Sequence, residues 1–483
     1  MIVSSFAGFV APDRSASRPA AADRSAGAAA SVGLAAGSAA RVSLSGGGAA
    51  APVYSDPRAR PGAVRLWSAP VNPDDKVSAL MARNQALGSY TLSDQWRGLG
   101  GALLTRFAAT GENYAQTLVD EVVNAAGDEI SGLTPEAQAQ RAAAVLARQE
   151  QELGGVAMNA PAVGLKIQTR SGESVQLDIA VSSGLNGIVG MKVEIHASGA
   201  MSEPARAAVA QLADGLDRLL EGLGGAETAV LDLSGLMNYD RDVLASVDVS
   251  ASNPMSHQPL GSFSLHLGDD RRSVKLKGGD GEMSLSVDAG TSPGPQRGAA
   301  IQRTLDRMDS AGERSRANAA LVRQMKAAFK DFQSAAGRGA ADGGSGASGL
   351  ADFDASLGGE TWRSNRFGTT HEAGQASYQL SQKTTTSNGG RTVAQTVSEQ
   401  LSADYRRAPG EAMLDVRNGN FSATRIRDAS TVTTSADSPA GRPASVLRKT
   451  EARQLKTVTD FRDHRVTHQQ SWPSRTSLLE RLA

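Results

Sequence analysis

Leu165-Lys166-Ile167-Gln168-Thr169 and Val175-Gln176-Leu177-Asp178-Ile179-Ala180-Val181 alternate apolar and polar residues, with the polar turn Arg170-Ser171-Gly172-Glu173 between them. A strand sends successive side chains to opposite faces, so this alternation predicts two half-buried strands joined as a hairpin. Gly172 supplies the φ > 0 that a tight turn favours. The pattern continues on the C-terminal side. Met191, Val193 and Ile195 alternate again, and Ser202 then caps a helix with Glu203 and Pro204 in its first turn. Val209, Leu212, Leu216, Leu219 and Leu220 form one apolar stripe on that helix, which stops at Gly222 and Gly224. Val230, Leu231, Leu233 and Leu236 lead to Ser246-Val247-Asp248-Val249-Ser250, then to Phe263, Leu265 and Leu267. Turns at Gly268-Asp269-Asp270 and Gly278-Gly279-Asp280-Gly281 separate Val274 and Leu276 from Met283, Leu285 and Val287. About six strands with regular turns predict an antiparallel meander. The expected fold class is therefore α+β, with a small antiparallel sheet covered by one amphipathic helix over residues 163–288.

The hairpin at Ile167-Gln168-Thr169-Arg170-Ser171-Gly172-Glu173, the helix after Ala200-Met201-Ser202-Glu203 and the run Leu231-Asp232-Leu233-Ser234-Gly235-Leu236 resemble, in that order, an uncharacterised domain of proteobacterial proteins. The resemblance implies a bacterial source. It brings no activity, cofactor or site residue with it.

The flanks read differently. Residues 1–62 are dominated by Ala, Gly, Ser, Pro and Arg, too apolar-poor to offset ordering entropy, which predicts a disordered arm. Val42-Ser43-Leu44-Ser45 within it reads as coil. Residues 72–155 are expected to be helical, in three runs. The first is capped at Asn72-Pro73, and the second runs from Asp94 to Ala126 with Trp96, Leu99, Leu103, Phe107, Tyr114, Leu118 and Val122 at helical spacings, weakened by Gly98, Gly100, Gly101 and Gly111, the last a candidate for breaking it in two. The third starts at Thr134-Pro135-Glu136. Residues 300–335 form an amphipathic helix carrying Leu321, Met325, Phe329 and Phe332, followed by a Gly/Ala/Ser linker over 336–349. Residues 352–483 form a polar β-rich region. Within it, Tyr378–Thr386 and Thr392–Leu401 pair as a hairpin around Ser387-Asn388-Gly389-Gly390, with further β-like runs at 413–416, 421–427, 446–459 and 466–472 and a helical turn at 477–482.

Composition bounds the function. Of 483 residues, Lys plus Arg and Asp plus Glu each total 50, and this balance argues against a nucleic-acid partner or an anionic membrane surface. The absence of cysteine excludes disulfides, Cys-based zinc sites and cysteine nucleophiles. No run is apolar enough for a transmembrane helix. Met1 to Pro12 has no basic residue ahead of its apolar part, so a cytoplasmic location is the default expectation, with export through a non-classical signal as an alternative.

Catalytic signatures are sparse. Gly344, Gly346 and Gly349 spell G-x-G-x-x-G inside the linker, without the strand and helix that a dinucleotide site needs. Gly98-Leu99-Gly100-Gly101 and Gly222-Leu223-Gly224-Gly225 are glycines that serve the backbone at helix breaks. Six histidines occur: His196, His257, His266, His371, His464 and His468. His464 and His468 are four apart beside Asp460 and Asp463, a spacing that could hold a metal ion. Asp269-Asp270 and Asp280-Gly281-Glu282 could hold calcium or act as acid and base, yet Asp and Gly are also ordinary turn residues. Trp67, Trp96, Trp362 and Trp472 are scattered. No catalytic, cofactor-binding or metal residue is assigned, and no cofactor. The sequence points to a non-enzymatic interaction or structural protein that binds a protein partner through exposed strands or through the 300–335 helix. A metal-assisted hydrolase using His464 and His468, and an exported bacterial factor, are the alternatives.

Overall fold

In the computed structural model the described residues are 63–122, 161–289 and 297–482, less 73, 87–90, 182–187, 224–229, 254–259, 280, 336–348, 388–391 and 438–444, together with scattered positions between 134 and 147. The expected disordered arm, Val42–Ser45, the first two glycines of the G-x-G-x-x-G run and Asp280 lie outside them. So does most of the helix expected after Thr134, whose Oγ1 nevertheless accepts from Ala137 N at 3.4 Å as an N-cap should.

The described strands form one antiparallel sheet. They are β1 (Ala63–Trp67), β2 (Tyr114–Val122), β3 (Ala162–Thr169), β4 (Ser174–Val181), β5 (Ile188–Ala197), β6 (Leu244–Ser252), β7 (Ser262–Leu267), β8 (Arg271–Gly278) and β9 (Gly281–Asp288). The C-terminal set is β10 (Phe353–Ser364), β11 (Thr370–Ser387), β12 (Thr392–Arg407), β13 (Phe421–Asp437), β14 (Ser445–Arg462) and β15 (Arg465–Leu482). The order across the sheet is β1-β2-β5-β4-β3-β6-β7-β8-β9-β10-β11-β12-β13-β14-β15. This corrects the expected fold class: the 163–288 meander is not a small sheet with its own cover but the middle of a fifteen-stranded one. Two junctions fuse it to its flanks, β2 against β5 and β9 against β10.

One transverse row explains why the sheet holds together and where its core stops. Ile195, Leu177, Leu165, Val249, Leu265, Val274, Leu285, Ala355 and Leu380 stand directly opposite one another from β5 to β11. All nine are buried. The row then loses its large apolar side chains, passing through Glu399, Ser430, the small Ala452 and Thr476 on β12 to β15. The adjacent row, on the other face, is polar throughout its length from Lys166 and Asp248 through His266, Ser273, Ser286, Asp354 and Ser381. The sheet therefore has one apolar face and one wet face, as antiparallel sheets commonly do.

The helices cover the apolar face in two groups. α1 (Lys76–Ala86), α2 (Leu92–Trp96), α3 (Leu99–Thr110), α4 (Glu203–Gln211) and α5 (Ala213–Leu223) lie over the β2–β6 end. The stripe expected on one helix is divided between α4 and α5, with Leu212 at the break. α3 packs on α5 so closely that Gly101 N donates to Asp217 Oδ1 at 2.8 Å. The second expected helical run ends early. Gly111 takes φ +70 and accepts the role of α3's C-cap, and Tyr114, Leu118 and Val122 continue as strand β2.

α6 (Arg297–Ser315) and α7 (Ala319–Ala335) are inserted between β9 and β10 and cover β9–β12. The single helix expected over 300–335 is broken at Arg316, with φ +65, and restarted by Asn318, whose Oδ1 accepts from Ala320 N at 2.8 Å. Met325, Phe329 and Phe332 are buried against the sheet, and Phe329 meets Phe353 edge-on at 5.0 Å. That apolar face is consumed by folding and is not a docking surface.

Candidate functional site: the C-terminal edge of the sheet

Strands β13, β14 and β15 are 17, 18 and 18 residues long and extend past the helical cover. Among the described side chains none on β14 or β15 is buried, β14 alternates between half-buried and exposed positions over much of its length, and every side chain from Arg465 to Leu479 is exposed. The run 477–482, expected as a helical turn, is the last third of β15, while 413–416, expected as strand, leads into a 3-10 turn at Val416–Asn418.

The hairpin is fixed at its turn. Asp463 and His464 both adopt positive φ, 47 and 62, which is the geometry of a two-residue turn matched to the twist of its strands. His464 N donates to Gly419 O at 3.3 Å, its Nε2 lies 3.0 Å from the Arg417 carbonyl oxygen, and Asp463 N donates to Asn420 Oδ1 at 3.1 Å. Gly419 is required there, because a Cβ would sit 2.2 Å from His464 N. Phe421 stacks on Phe461 at 4.9 Å beside this anchor. A second tie lies further along. Arg314 on α6 pairs with Asp428 on β13, its Nη2 donating to Oδ1 at 3.1 Å, and the same carboxylate accepts from Leu455 N at 3.2 Å. Asp428 thus links the helical cover, β13 and β14.

The proposed histidine pair is not assembled as a site. His464 is committed to the turn, and His468 stands on β15 opposite Asp460 beyond a bulge at Asp460/Phe461. Among the described residues no group of three His, Asp or Glu side chains could hold a metal ion. Asp269 pairs with Arg170 at 2.6 Å, and His266 pairs with Asp248 at 2.6 Å on the wet face. His371 Nε2 accepts from Arg407 Nε at 3.0 Å. Trp96 is buried, whereas Trp362 and Trp472 are exposed.

β15 has β14 on one side and no strand on the other among the described residues. Trp472 lies on the helix side of the sheet under Lys456, whose Nζ is 5.6 Å from the ring centroid. Leu478 and Leu479 are 47% and 65% exposed, on opposite faces. On the wet face a shallow trough of about 560 Å³ crosses β11–β15, lined by Ser377, Gln379, Ser402, Arg427, Arg453 and Arg475 among others. Arg427 is held by Asp404 at 2.5 Å, while Arg453 stands directly opposite Arg475. Pro473, opposite Leu455, lies inside the edge strand. A proline is tolerated in a strand where its nitrogen faces away from the ladder, so the outer side of β15 lacks a donor there. Residues two apart share that direction.

What this arrangement can do chemically is hydrogen-bond a chain laid alongside it. No family model, curated protein or solved structure matches the chain. Among the described residues no helix is long and apolar enough to cross a membrane.

The edge was only partly visible in the sequence. The β-like runs mark the strands, but the two-residue turn between them carries Asp-His, an unusual occupant of a turn dominated by Gly and Asn. Its signal was its position between two alternating runs.

Proposed function

We propose that the chain is a non-enzymatic interaction protein that accepts an extended segment of a protein partner along β15, by strand addition. The observation that carries this reading is the outer edge of β15 itself, an eighteen-residue strand whose side chains are exposed on both faces from Arg465 to Leu479 and which is unpaired on one side among the described residues. An edge of this length offers a row of main-chain donors and acceptors, and exposed apolar side chains at Trp472, Leu478 and Leu479 give such a partner something to bury. Pro473 and the arginines blunt the edge against indiscriminate pairing. The resemblance of segments between Ile167 and Leu236 to a proteobacterial domain adds no activity to this reading.

Ser477→Pro tests it. Ser477 shares its backbone direction with Pro473, so the variant removes an outward donor while leaving the β14–β15 ladder intact. Partners retained by the native chain should be lost from the variant, with unchanged circular dichroism and melting temperature. Retention of the same partners by a folded variant refutes strand addition at this edge.

A further inference from the structure

Resting on the strand-addition reading, we propose that the segment that pairs with β15 is β15 of a second copy of this chain, in an antiparallel register centred on Ser474. Length narrows the choice first. The other end of the described sheet is β1, five residues long, so head-to-tail pairing of β1 with β15 would leave most of β15 bare. Only a strand as long as β15 covers it, and its own copy meets that condition.

Symmetry then restricts the register. A two-fold axis normal to the sheet keeps each face on its own side, so a residue must pair with one on the same face, and the axis must pass through a residue rather than between two. The usable segment begins at His468, because the bulge at Asp460/Phe461 shifts the strand before it. Centred on Pro473, two prolines face each other. Centred on Arg475, two like charges face each other, which destabilises a pair. Centred on Trp472, the matched segment stops at Thr476 and leaves Leu478 and Leu479 beyond the bulge. Centred on Ser474, His468 meets Glu480 on both sides of the axis, Trp472 meets Thr476, Ser471 meets Ser477, and Gln469 and Gln470 meet Leu479 and Leu478. No like charges stand opposite one another in that register between His468 and Glu480. Its cost is the donor missing at each Pro473, opposite Arg475 of the other copy.

The chain contains no cysteine, so single introduced thiols report the register directly. Adjacent antiparallel strands place directly opposed Cα atoms about 4.5–5.5 Å apart, within disulfide range. Under mild oxidation of the full-length chain, Ser474→Cys alone should form a covalent dimer. Ser471→Cys and Ser477→Cys should each remain monomeric, since each lies about 20 Å from its own copy, but an equal mixture of the two should cross-link. Sedimentation of the unmodified chain over a concentration series should approach twice 49.9 kDa. A chain that stays at 49.9 kDa at about 100 µM, a Ser474→Cys chain that does not cross-link, or a Ser471→Cys chain that cross-links by itself overturns the proposal. Strand addition is decided separately. It stands if Ser477→Pro still abolishes binding of a different partner, and falls if it does not.

Discussion

Replacing Phe329 with alanine removes the ring that joins the inserted helical pair to the junction of the two halves of the sheet. Phe329 is fully buried on α7, with its ring edge-on to Phe353 of β10, the strand that pairs with β9. Truncating a buried phenylalanine costs about 3–5 kcal/mol, the transfer of the ring plus the cavity left behind. That is a large part of the roughly 5–15 kcal/mol by which a domain is stable. With a urea m value of roughly 3 kcal/mol/M, the midpoint should fall by about 1–1.7 M. If the sheet is one cooperative unit, the loss is shared. Hydrogen exchange monitored by mass spectrometry should then show the β3–β4 hairpin at 162–181 and the β11–β12 hairpin at 370–407 losing protection by the same free energy. Loss confined to 370–407, with 162–181 unchanged and a second unfolding transition, would refute a continuous cooperative sheet.

Three further outcomes follow from particular contacts. Burial alone would raise the Asp75 carboxyl, but hydrogen bonds from Ser78 and Tyr114, with Arg106 close by, hold it below its ordinary value of 3.8. A depressed carboxyl contributes stability that is present above the unfolded value and lost as pH falls through the folded one. Asp75→Asn should therefore cost about 1–3 kcal/mol at neutral pH and flatten the melting-temperature profile below pH 4, as followed by calorimetry. Asp428→Ala leaves Arg314 and the Leu455 amide without their shared acceptor; a loss of about 1–3 kcal/mol is expected, with faster exchange at Leu455. In Gly215→Ala the new Cβ would lie 2.7 Å from the carbonyl carbon of Gly235, a backbone contact that no rotamer change relieves, so about 1–3 kcal/mol should be lost in chemical denaturation.

Much of the local structure was legible and the global pairing was not. Period-two alternation marked β3, β4 and β7–β9 because each has one face buried and one wet, and Ser202 marked the start of α4 through its cap on Ala205 N. Tyr114, Leu118 and Val122 misled because a spacing of four suits one face of a helix and, being even, one face of a strand equally well. Only the backbone at Gly111 separates the two readings. The fusion of the middle and C-terminal strands depends on β9 finding β10 across the inserted α6–α7 pair, a contact that no periodicity encodes. Arg272 is a similar case. In phase with Val274 and Leu276, it is fully buried and donates from Nη1 to the Phe332 carbonyl at 3.3 Å, which places its charge at the C-terminal end of α7 where the helix dipole favours it. As for the candidate site, the sequence showed that the C-terminal strands were too polar to hide. It could not show that β15 lies at the edge of the described sheet, with β14 on one side alone.

The most direct test is residue-resolved hydrogen exchange along β14 and β15 at low chain concentration. The account predicts uniform protection along β14 and alternating protection along β15, with slow amides facing β14 and fast ones facing outward, the fast set becoming protected when a strand is added. Uniformly fast exchange along β15, or uniform protection at the lowest concentration without any partner, would contradict it.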